Sequence, residues 1–283
     1  MTRFSKRSLA FLLAVCLLFL PSCRISPTFS VDDDLLYITF FDVGQGDAIL
    51  LQTSDGAILV DAGTEKSEED LILSMQMLGV VTLSLFVMTH PDADHIGGAD
   101  GVINEFLVDE VWCSGSPSTT GATRRMEEAL DKKDLEARSV TVGERYTLGA
   151  LQLMVLSPVE PTSNTNASSV VLLATYGGVR LLLMGDADAK TEERVLESFS
   201  AWELDCDLLK AGHHGSRTAS SLDFLETVTP EYTIISCGAG NSYGHPHGEV
   251  LERLNLVHSE VLRTDLEGSI YFQTDGRTLS RGR

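Results

Sequence analysis

The chain has 283 residues, of which 43% are hydrophobic and 22% charged, and these proportions are those of an ordinary globular protein. This length is enough for one large domain with a substantial core. The 41 acidic and 21 basic residues give a net charge of −20, which argues against a protein that binds nucleic acid through a basic surface stripe. The five cysteines show no CxxC spacing, so neither a disulfide framework nor a thiolate zinc site is predicted.

The N-terminal segment has the features of an export signal. Three basic residues among the first seven precede an apolar run from Leu9 to Leu20, which is short for a membrane span but suits the core of a signal peptide. The run ends in Leu20-Pro21-Ser22-Cys23, which resembles the bacterial lipobox, where cleavage before the cysteine leaves it to carry lipid. We therefore predict lipid attachment at Cys23, with plain secretion or a retained anchor as alternatives.

Three regions follow from this signal. Residues 1–23 are predicted to form the signal peptide with its lipobox-like end, residues 24–34 a tether, and residues 35–283 a single folded domain. Cleavage before Cys23 would remove three basic residues and no acidic ones, leaving 18 basic and 41 acidic residues and a net charge of −23. The expected location is outside the cytoplasm, at the membrane through the lipid, or free if the protein is secreted.

The first part of the domain is rich in predicted strands. Three β-rich runs lie between residues 35 and 63, broken at Gly44-Gln45-Gly46 and at Asp55-Gly56, and the second break is typical of a hairpin turn. Apolar residues at helical spacing follow at Leu71, Ile72, Met75 and Leu78, and they predict a helix. The next apolar run, residues 83–88, predicts a buried strand.

That strand ends in a segment rich in metal ligands, His90-Pro91-Asp92-Ala93-Asp94-His95. Side chains at i and i+2 share a face in extended chain, so His90 and Asp92 are predicted to bind one cation. The turn would direct Asp94 and His95 toward a second cation, and such mixed ligands suit zinc, manganese or iron. A surface turn is the alternative, because Asp and Pro are common in turns. Two His and two Asp within six residues at the end of a buried strand favour a metal site.

Further chemically active residues follow strands in the rest of the chain. After a predicted exposed helix at 122–134, two strands meet at Gly177-Gly178, and the second ends at Asp186. Later strands precede the pair His213 and His214 and the pair His245 and His247. Six of the seven histidines thus lie in three clusters at predicted strand ends. Because strand ends meet at one edge of a sheet, we expect these clusters to converge on one site.

Six blocks of the sequence resemble the hydrolase domain of the ComEC family, DNA-uptake channel proteins whose hydrolase domain lies outside the cytoplasm. The blocks are FFDVGQGDAILL, ILVDAG, THPDADHIGG, LLLMGDAD, LLKAGHHGS and SYGHPHGEVLERL, and they cover roughly residues 36–273 in matching order. The spacing HxDxDH, followed by GD and HHGS, resembles the wider metallo-β-lactamase fold superfamily, in which HxHxDH is usual. No polytopic membrane region precedes the blocks, so we expect a detached, separately exported version of this hydrolase domain.

The resemblance implies an α/β fold, the metallo-β-lactamase four-layer αββα sandwich, with two divalent metal ions at one edge of the two sheets. It implies six metal ligands: His90 and Asp92 for the first ion, Asp94 and His95 for the second, Asp186 bridging both, and His213 completing one set. Asp61 would support the metal loop by hydrogen bonding, and Asn166 and Ser169 are predicted to be further supporting residues behind the ligands. The third-motif histidine of the superfamily has no counterpart, since the matching loop offers only Asn164, Asn166, Ser168 and Ser169. This favours a harder ion such as manganese over zinc at the first site.

Two ions sharing Asp186 would deprotonate a bridging water for attack on a phosphorus or carbonyl centre. His214 or His245 would protonate the leaving oxygen, unless His214 only orients its loop. The resemblance implies an exported phosphodiesterase or nuclease, and the acidic charge favours short or single-stranded DNA as its substrate. Alternatives are a phosphodiesterase acting on cell-wall or lipid head groups, as in exported phosphorylcholine esterases that share HxDxDH, and a non-catalytic surface lipoprotein. Lactone or β-lactam hydrolysis ranks behind these, because it usually uses HxHxDH. The sequence indicates no protein partner.

Overall fold

A computed structural model describes residues 31–160 and 162–282 of the chain. The predicted signal peptide, the lipid site at Cys23 and most of the predicted tether lie outside these described residues. Among the residues described, no helix has the length and apolar character needed to cross a membrane. Cys113, Cys206 and Cys237 are all unpaired, and the last two are buried.

The first sheet has eight strands, in the order β17-β16-β1-β2-β3-β5-β7-β8. These strands are β1 Leu36–Phe40, β2 Ile49–Thr53, β3 Gly56–Val60, β5 Leu85–Met88, β7 Val111–Cys113, β8 Ala137–Ser139, β16 Ile270–Thr274 and β17 Leu279–Arg281. Pairing is antiparallel from β17 to β3 and parallel from β3 to β8. A separate parallel pair is formed by β4 Thr82–Leu83 and β6 Leu107–Val108.

The second sheet repeats this plan with seven strands, in the order β15-β14-β13-β12-β11-β10-β9. These strands are β9 Arg145–Leu148, β10 Leu151–Ser157, β11 Val171–Tyr176, β12 Val179–Leu183, β13 Leu208–Lys210, β14 Tyr232–Ile235 and β15 Glu260–Arg263. Pairing is antiparallel from β9 to β12 and parallel from β12 to β15.

Side chains of the strands point alternately into the core between the two sheets and into the outer layers. Ile58 and Val60 of β3 face a core shared with the second sheet, whereas Leu59 faces a separate cluster on the outer side. Leu181 of β12 likewise lies in the shared core, and Leu182 lies in the outer cluster of the second sheet. Because successive side chains of a strand point to opposite faces, each apolar strand can bury both of its faces.

Helices cover the outer face of each sheet. Those of the first half are α1 Glu68–Met77, α2 Ala93–Ile96, α3 Ala99–Glu105 and α4 Gly121–Lys133, and those of the second are α5 Ala189–Ser198, α6 Ala201–Leu204, α7 Leu222–Val228, α8 Gly248–Leu256 and α9 Thr264–Glu267. Residues of α1, α3 and α4 share a core cluster with the first sheet, and residues of α5, α7 and α8 share one with the second. This is the four-layer αββα sandwich that the sequence predicted.

Two elements differ from the sequence prediction. The helix predicted as exposed at 122–134 is α4, and it is amphipathic, since Ala122, Met126 and Leu130 are buried against the first sheet. Residues 93–96 form a short helix inside the metal-ligand segment, which the sequence assigned to a turn. Asp94 and His95 therefore leave the helical turn α2 in a direction different from that of His90, which lies in the preceding loop.

The loops that follow five parallel strands meet at one edge of the sandwich. Asp61 follows β3, His90 follows β5, Asp186 follows β12, His213 follows β13, and Ser236 follows β14. Ligand sites in α/β proteins lie outside the carboxyl ends of such strands. Both sheets therefore contribute side chains to the same place.

Candidate metal centre

Asp186 lies at the centre of this edge, between two groups of side chains. Its Oδ2 is 3.8 Å from His90 Nε2 and 3.6 Å from His213 Nε2. Its Oδ1 is 3.2 Å from His95 Nε2 and 3.4 Å from His214 Nε2. The carboxylate is almost fully buried, and its backbone N–H donates to Ser169 Oγ at 3.1 Å. One carboxylate thus faces two separate pairs of imidazoles, one pair on each oxygen.

One aspartate of the metal loop joins each pair. Asp92 Oδ2 is 3.8 Å from His90 Nε2, and Asp94 Oδ2 is 3.4 Å from His214 Nε2. The first ligand set is therefore His90, Asp92, His213 and Asp186 Oδ2. The second ligand set is Asp94, His95, His214 and Asp186 Oδ1. The sequence predicted every member of these sets as a site residue, but it placed His214 in a different role.

Hydrogen bonds on the far side of two imidazoles leave their lone pairs pointing into the second ligand set. His95 Nδ1 donates to Asp61 Oδ2 at 2.7 Å, and His214 Nδ1 donates to the carbonyl oxygen of Ser236 at 2.9 Å. In the neutral imidazoles the remaining nitrogens, both Nε2, are then acceptors. They lie 3.3 Å apart, next to the carboxylate oxygens of Asp186 and Asp94. Acceptors gathered without a donor require protons or a cation between them.

The donor atoms of both sets fit divalent metal ions. His90 Nε2 and Asp186 Oδ1 are buried and make no hydrogen bond. Both atoms belong to the ligand sets, where a bound cation would be their partner. Imidazole nitrogen and carboxylate oxygen are ligands for zinc and manganese. Asp47, His95, Asp186 and His214 are all buried, with one ligand atom from each within 4.8 Å of the others. The chain therefore has a candidate metal site built from aspartates and histidines.

The protons that the metal-free site takes up can be assigned. Burial lowers the pKa of His95, but the carboxylates of Asp186 and Asp61 outweigh it and raise the pKa well above its usual value. Burial also opposes a charge on His214, while Asp186 and Asp47 raise the pKa of His214 to about 9. Burial, with the charge on neighbouring His95, lowers the pKa of His90 to about 3. The second ligand set therefore binds protons when no metal is present, and His90 stays neutral.

A buried ion pair supports the second ligand set from behind. Lys210 Nζ lies 2.6 Å from Asp47 Oδ2, and both side chains are essentially inaccessible to solvent. Asp47 Oδ1 is 3.4 Å from His214 Nδ1, the nitrogen that faces away from Asp186. Burial raises the pKa of Asp47, but Lys210 and His214 outweigh it and hold the pKa well below its usual range. Asp47 is therefore a charged partner of Lys210 and His214 rather than a member of the ligand sets.

Close backbone approach holds Asp47 in place. Its backbone N–H donates to the carbonyl oxygen of Asp94 at 3.2 Å, which joins the β1–β2 loop to α2. A Cβ atom on the preceding residue, Gly46, would lie 2.3 Å from that same oxygen. Only glycine allows the loop to come so near.

The predicted supporting residues surround the ligand sets. Asp61 accepts hydrogen bonds from the backbone N–H of Thr89 at 2.8 Å and from its hydroxyl at 2.7 Å, in addition to the bond from His95. Ser169 Oγ is 3.4 Å from His90 Nδ1, and Asn166 Nδ2 is 3.3 Å from His213 Nε2. The loop that lacks the superfamily's third histidine therefore contacts the ligands, while His213 stands beside His90 and Asp92.

His245 lies at the rim of the site, outside both ligand sets. Its ring is 5.6 Å from that of His213 and 6.3 Å from that of His214, measured between centroids. Gln45 Nε2 is 3.4 Å from His245 Nδ1, so the amide donates to this nitrogen when the imidazole carries its proton on Nε2. Burial and the charge on His214 lower the pKa of His245 to about 4. A neutral imidazole with an Nε2–H donor therefore lies beside the candidate metal centre.

Comparison with known proteins identifies the family of this fold. Residues 41–239 match the model of the metallo-beta-lactamase superfamily. The chain belongs to the metallo-β-lactamase superfamily. The crystal structure of the metallo-beta-lactamase fold protein YhfI from Bacillus subtilis superimposes with a TM-score of 0.58 at 12% identity, covering 85% of this chain and 100% of that one. This likeness confirms the predicted fold.

Curated relatives include ComE operon protein 3 and competence protein ComA. The chain is 29% identical over 294 residues to ComE operon protein 3 of Bacillus subtilis, covering 96% of this chain and 37% of the relative. It is 31% identical over 245 residues to competence protein ComA of Neisseria gonorrhoeae, covering 86% of this chain and 33% of the relative. These matches confirm the resemblance to the competence proteins. This metallo-β-lactamase fold chain spans about a third of the length of the curated relatives it matches.

Proposed function

We propose that this metallo-β-lactamase fold hydrolase is an exported, metal-dependent phosphodiesterase that cleaves short or single-stranded nucleic acid. The observation that carries the proposal is the position of Asp186, whose two oxygens face two distinct sets of imidazole and carboxylate groups. Metal pairs that share one carboxylate are typical of enzymes that hydrolyse phosphate esters. Relatedness to competence proteins supports nucleic acid as the source of the ester.

We assign one divalent ion, Zn²⁺ or Mn²⁺, to each ligand set. His90, Asp92 and His213 would hold the first, Asp94, His95 and His214 the second, and Asp186 would bridge them. When bound, the two ions would supply a nucleophilic hydroxide near neutral pH and would neutralise charge that develops on the phosphoryl oxygens. In this proposal His213 takes the place of the missing third-motif histidine, so both sets have enough ligands.

The chain's own groups then divide the remaining tasks. His214 faces Asp186 and Asp94 through Nε2, and this position favours a ligand role over the predicted role of proton donor. His245 is the better hydrogen-bond donor to the leaving oxygen, because the contact from Gln45 to Nδ1 favours the neutral tautomer with its proton on Nε2 and the ring lies at the rim of the site. The proton that the leaving oxygen finally takes would come from water. Asp61 holds His95 in the tautomer that leaves Nε2 free. The Asp47–Lys210 pair orients His214 through Nδ1.

Surface charge supports short substrates over long ones. The basic residues of α4 are already engaged within the protein: Arg125 pairs with Glu65 at 3.1 Å and Asp100 at 3.4 Å, and Lys132 donates to Asn104 at 3.0 Å. Little basic surface is therefore left on this helix to hold successive phosphates, and the chain as a whole carries a net charge of −20. Phosphate contacts would come mainly from the metal centre.

Two alternative functions are a diesterase acting on head groups and a surface lipoprotein without catalysis. An acidic surface with a two-ion site also suits a diesterase acting on the head groups of lipid or cell-wall polymers. His90 Nε2 and Asp186 Oδ1 are buried without hydrogen bonds. Buried polar atoms normally have a partner, so these two atoms favour a metal-binding site over a surface lipoprotein without catalysis. For the cellular location we propose export, with attachment to the membrane through lipid at Cys23.

Metal-loaded residues 24–283 should be assayed on a labelled single-stranded oligonucleotide, bis(p-nitrophenyl) phosphate and a choline phosphodiester. We expect hydrolysis of the first two, with metal content and activity lost together on chelation. Increasing salt should weaken oligonucleotide binding only slightly, because few counterions are released. A steep salt slope that disappears when Arg124, Arg125, Lys132 and Lys133 are changed to Glu would show that a basic track holds DNA. Activity on the choline ester alone would support the head-group alternative.

A further inference from the structure

A cavity of about 580 Å³ opens beside the first ligand set, and we call it the His90 cavity. His90 and Pro91 line its inner end, and α4 together with the loop after β7 lines the rest. Its floor is apolar, built from Met88, Cys113 and Met126 among others. This volume is that of a pocket for a small molecule rather than a surface groove.

The charge around the His90 cavity is one-sided. Glu127, Asp131 and Glu136 line it, and no Lys, Arg, Phe, Tyr or Trp does so among the residues that the structure describes. Arg124 donates to the carbonyl oxygen of Thr119 at its edge but does not line it. A phosphate group entering the cavity would therefore meet carboxylates and no paired cation.

A second cleft, of about 550 Å³, lies on the other side of the metal loop, and we call it the Lys66 cleft. Ala93 and Asp94 line it from the metal loop, and Glu65, Lys66, Arg125 and Tyr243 are among its other lining residues. Arg125 is paired with Glu65 at 3.1 Å, so Lys66 is the exposed cation of this cleft. The Tyr243 side chain is exposed, and its ring stacks on that of His245 with centroids 5.6 Å apart and planes at 24°. An aromatic ring on which a base can stack, with one cation near it, suits single-stranded nucleic acid, while most phosphate contact is left to the metal centre.

Resting on the proposed phosphodiesterase function, we propose that the His90 cavity binds the terminal nucleoside of a single strand whose remaining nucleotides lie in the Lys66 cleft. The scissile phosphate would then lie at the metal centre between the two. Glu127, Asp131 and Glu136 in the cavity lining would repel a further phosphate. Water would attack the scissile phosphorus, and the P–O bond to the rest of the strand would break. The phosphate then stays with the terminal nucleoside, and the shortened strand leaves with a hydroxyl end. The protein is therefore an exonuclease that releases one nucleoside monophosphate at a time, and internal bonds of a closed circle are poor substrates.

The lining of the His90 cavity favours a nucleoside over a quaternary ammonium alcohol. Apolar side chains at the floor can pack on the face of a base, and thioether and thiol sulfurs suit aromatic contacts. The loop of residues 114–119 brings several hydroxyl groups, and the hydroxyl of Ser116 is buried without a hydrogen-bond partner. A sugar hydroxyl or a base edge would satisfy it. Proteins bind quaternary ammonium groups with aromatic cages, and the residues described here place no such ring in the cavity.

A pair of charge-reversal variants tests whether cleavage requires a free strand end. Glu127 and Glu128 are adjacent on α4 and both exposed, but only Glu127 lines the His90 cavity. Wild type, Glu127→Lys and Glu128→Lys would be given the same single-stranded sequence as a linear and as a circular molecule, with each rate divided by that variant's rate on bis(p-nitrophenyl) phosphate. Wild type should cleave the linear form at least about tenfold faster than the circle. Glu127→Lys should reduce that preference several-fold, and Glu128→Lys should not change it.

A second variant tests occupancy of the cavity by substrate preference and by direct binding. Ser116→Phe would fill the cavity from the loop, where a change disturbs the core least. We expect it to raise KM for a thymidine p-nitrophenyl diester about tenfold relative to a methyl p-nitrophenyl diester. It should also abolish saturation-transfer NMR signals of thymidine on the metal-free protein, which wild type should give.

The outcomes separate this inference from the proposed function. Absence of hydrolysis on every phosphodiester would overturn the proposed function itself. Hydrolysis of small diesters together with equal rates on circle and linear strand would overturn the exonuclease inference alone. Preference for a choline diester over the thymidine diester by tenfold or more would assign the cavity to an ammonium alcohol instead. Unchanged thymidine binding in Ser116→Phe would place the nucleoside elsewhere.

Discussion

Replacing Asp61 by Asn should weaken metal binding by changing which nitrogen of His95 carries a proton. The substitution keeps the side-chain volume, and Asn tolerates the left-handed backbone that Asp61 adopts with φ of 60°. Oxygen of the new amide can still accept from the backbone N–H of Thr89, as Oδ1 does now at 2.8 Å. Its NH₂ group would then stand where Oδ2 accepts from His95 Nδ1 at 2.7 Å. Two donors cannot share that contact, so His95 would move its proton to Nε2.

The size of the effect follows from this exchange of tautomers. Loss of the hydrogen-bond partner of a metal-binding histidine typically costs about 10- to 100-fold in metal affinity, or about 1.4 to 2.7 kcal/mol. Asp61→Asn also places a proton on the nitrogen that faces Asp186, so we expect the upper end of this range. Only one of the two binding steps should weaken, because His90 and the first ligand set do not contact Asp61.

Competition with a chromophoric chelator measures both binding steps, and the nitrogen chemical shifts of His95 report its tautomer. Thr89→Val is the matched control for the second ligand set, since it removes the hydroxyl that donates to Asp61 at 2.7 Å and leaves the bond from His95 intact. The same hydroxyl is 3.1 Å from His90 Nδ1, so the comparison is made only at the binding step that Asp61→Asn weakens. The control should lower the free energy of unfolding while changing the affinity of that step less than about threefold. If Asp61→Asn bound both ions within threefold of wild type, the role given to Asp61 would be refuted.

Four further results are expected. Asp186→Ala should lose both ions and all hydrolysis in metal analysis and activity assays, because its carboxylate serves both ligand sets; loss of a single ion would refute the bridging role. His245→Ala should keep its metal and lose about 10²- to 10³-fold in kcat, the usual cost of removing a hydrogen-bond donor to a developing oxyanion, whereas His214→Ala should lose metal, and the opposite pattern would exchange their roles. Metal binding at pH 7 should release protons, seen by calorimetry in two buffers of different ionisation enthalpy, since the pKa of His214 is raised to about 9 in the metal-free protein and that of His95 is raised as well. By the same sign, the metal-free protein should lose stability as pH increases through about 9, while metal affinity increases. Cys23→Ser should release the protein from membranes, and continued attachment with residues 1–22 present would point to an uncleaved anchor.

The layers of the fold were predicted through the family resemblance, and the pattern of the strands agrees with them. Ile58 and Val60 face one core and Leu59 another, which is what an uninterrupted apolar strand does in a sheet that is covered on both faces. The metal loop could also be predicted, since its four ligands lie within six residues of one another after a buried strand. The strand pattern and the metal loop both consist of residues that are close in sequence, so their spacing alone limits which side chains can lie side by side.

The division of labour between His213 and His214 could not be read in the same way. The resemblance implied that His213 is a ligand, and His214 was predicted to be a proton donor or to orient its loop. Adjacent residues of an extended chain point to opposite faces, which agrees with two different tasks. In the structure both residues adopt left-handed backbone conformations, with φ of 48° and 54°. Residues other than glycine rarely do so, and nothing in the sequence predicts it for two histidines in succession. This local geometry brings both imidazoles to Asp186, each to a different oxygen.

The pairing of Asp47 with Lys210 has no local signal at all. A lysine inside an apolar strand has no partner within its own segment, and its partner lies in the loop between β1 and β2. Only the stacking of the two sheets brings them together. No motif or spacing in the sequence therefore singles out Lys210 or Asp47 as partners.

The two ligand sets have one more consequence, for how the sandwich is held closed. The metal loop belongs to the first sheet, while Asp186, His213 and His214 belong to the second, so each bound ion would be a removable cross-link between the halves of the chain. Ions present at a thousand times their dissociation constant would add about 4 kcal/mol of stability apiece. Removing the ions with a chelator should therefore weaken the packing between the two sheets before either sheet unfolds. Amide hydrogen exchange should then increase first at the strands that flank the shared core.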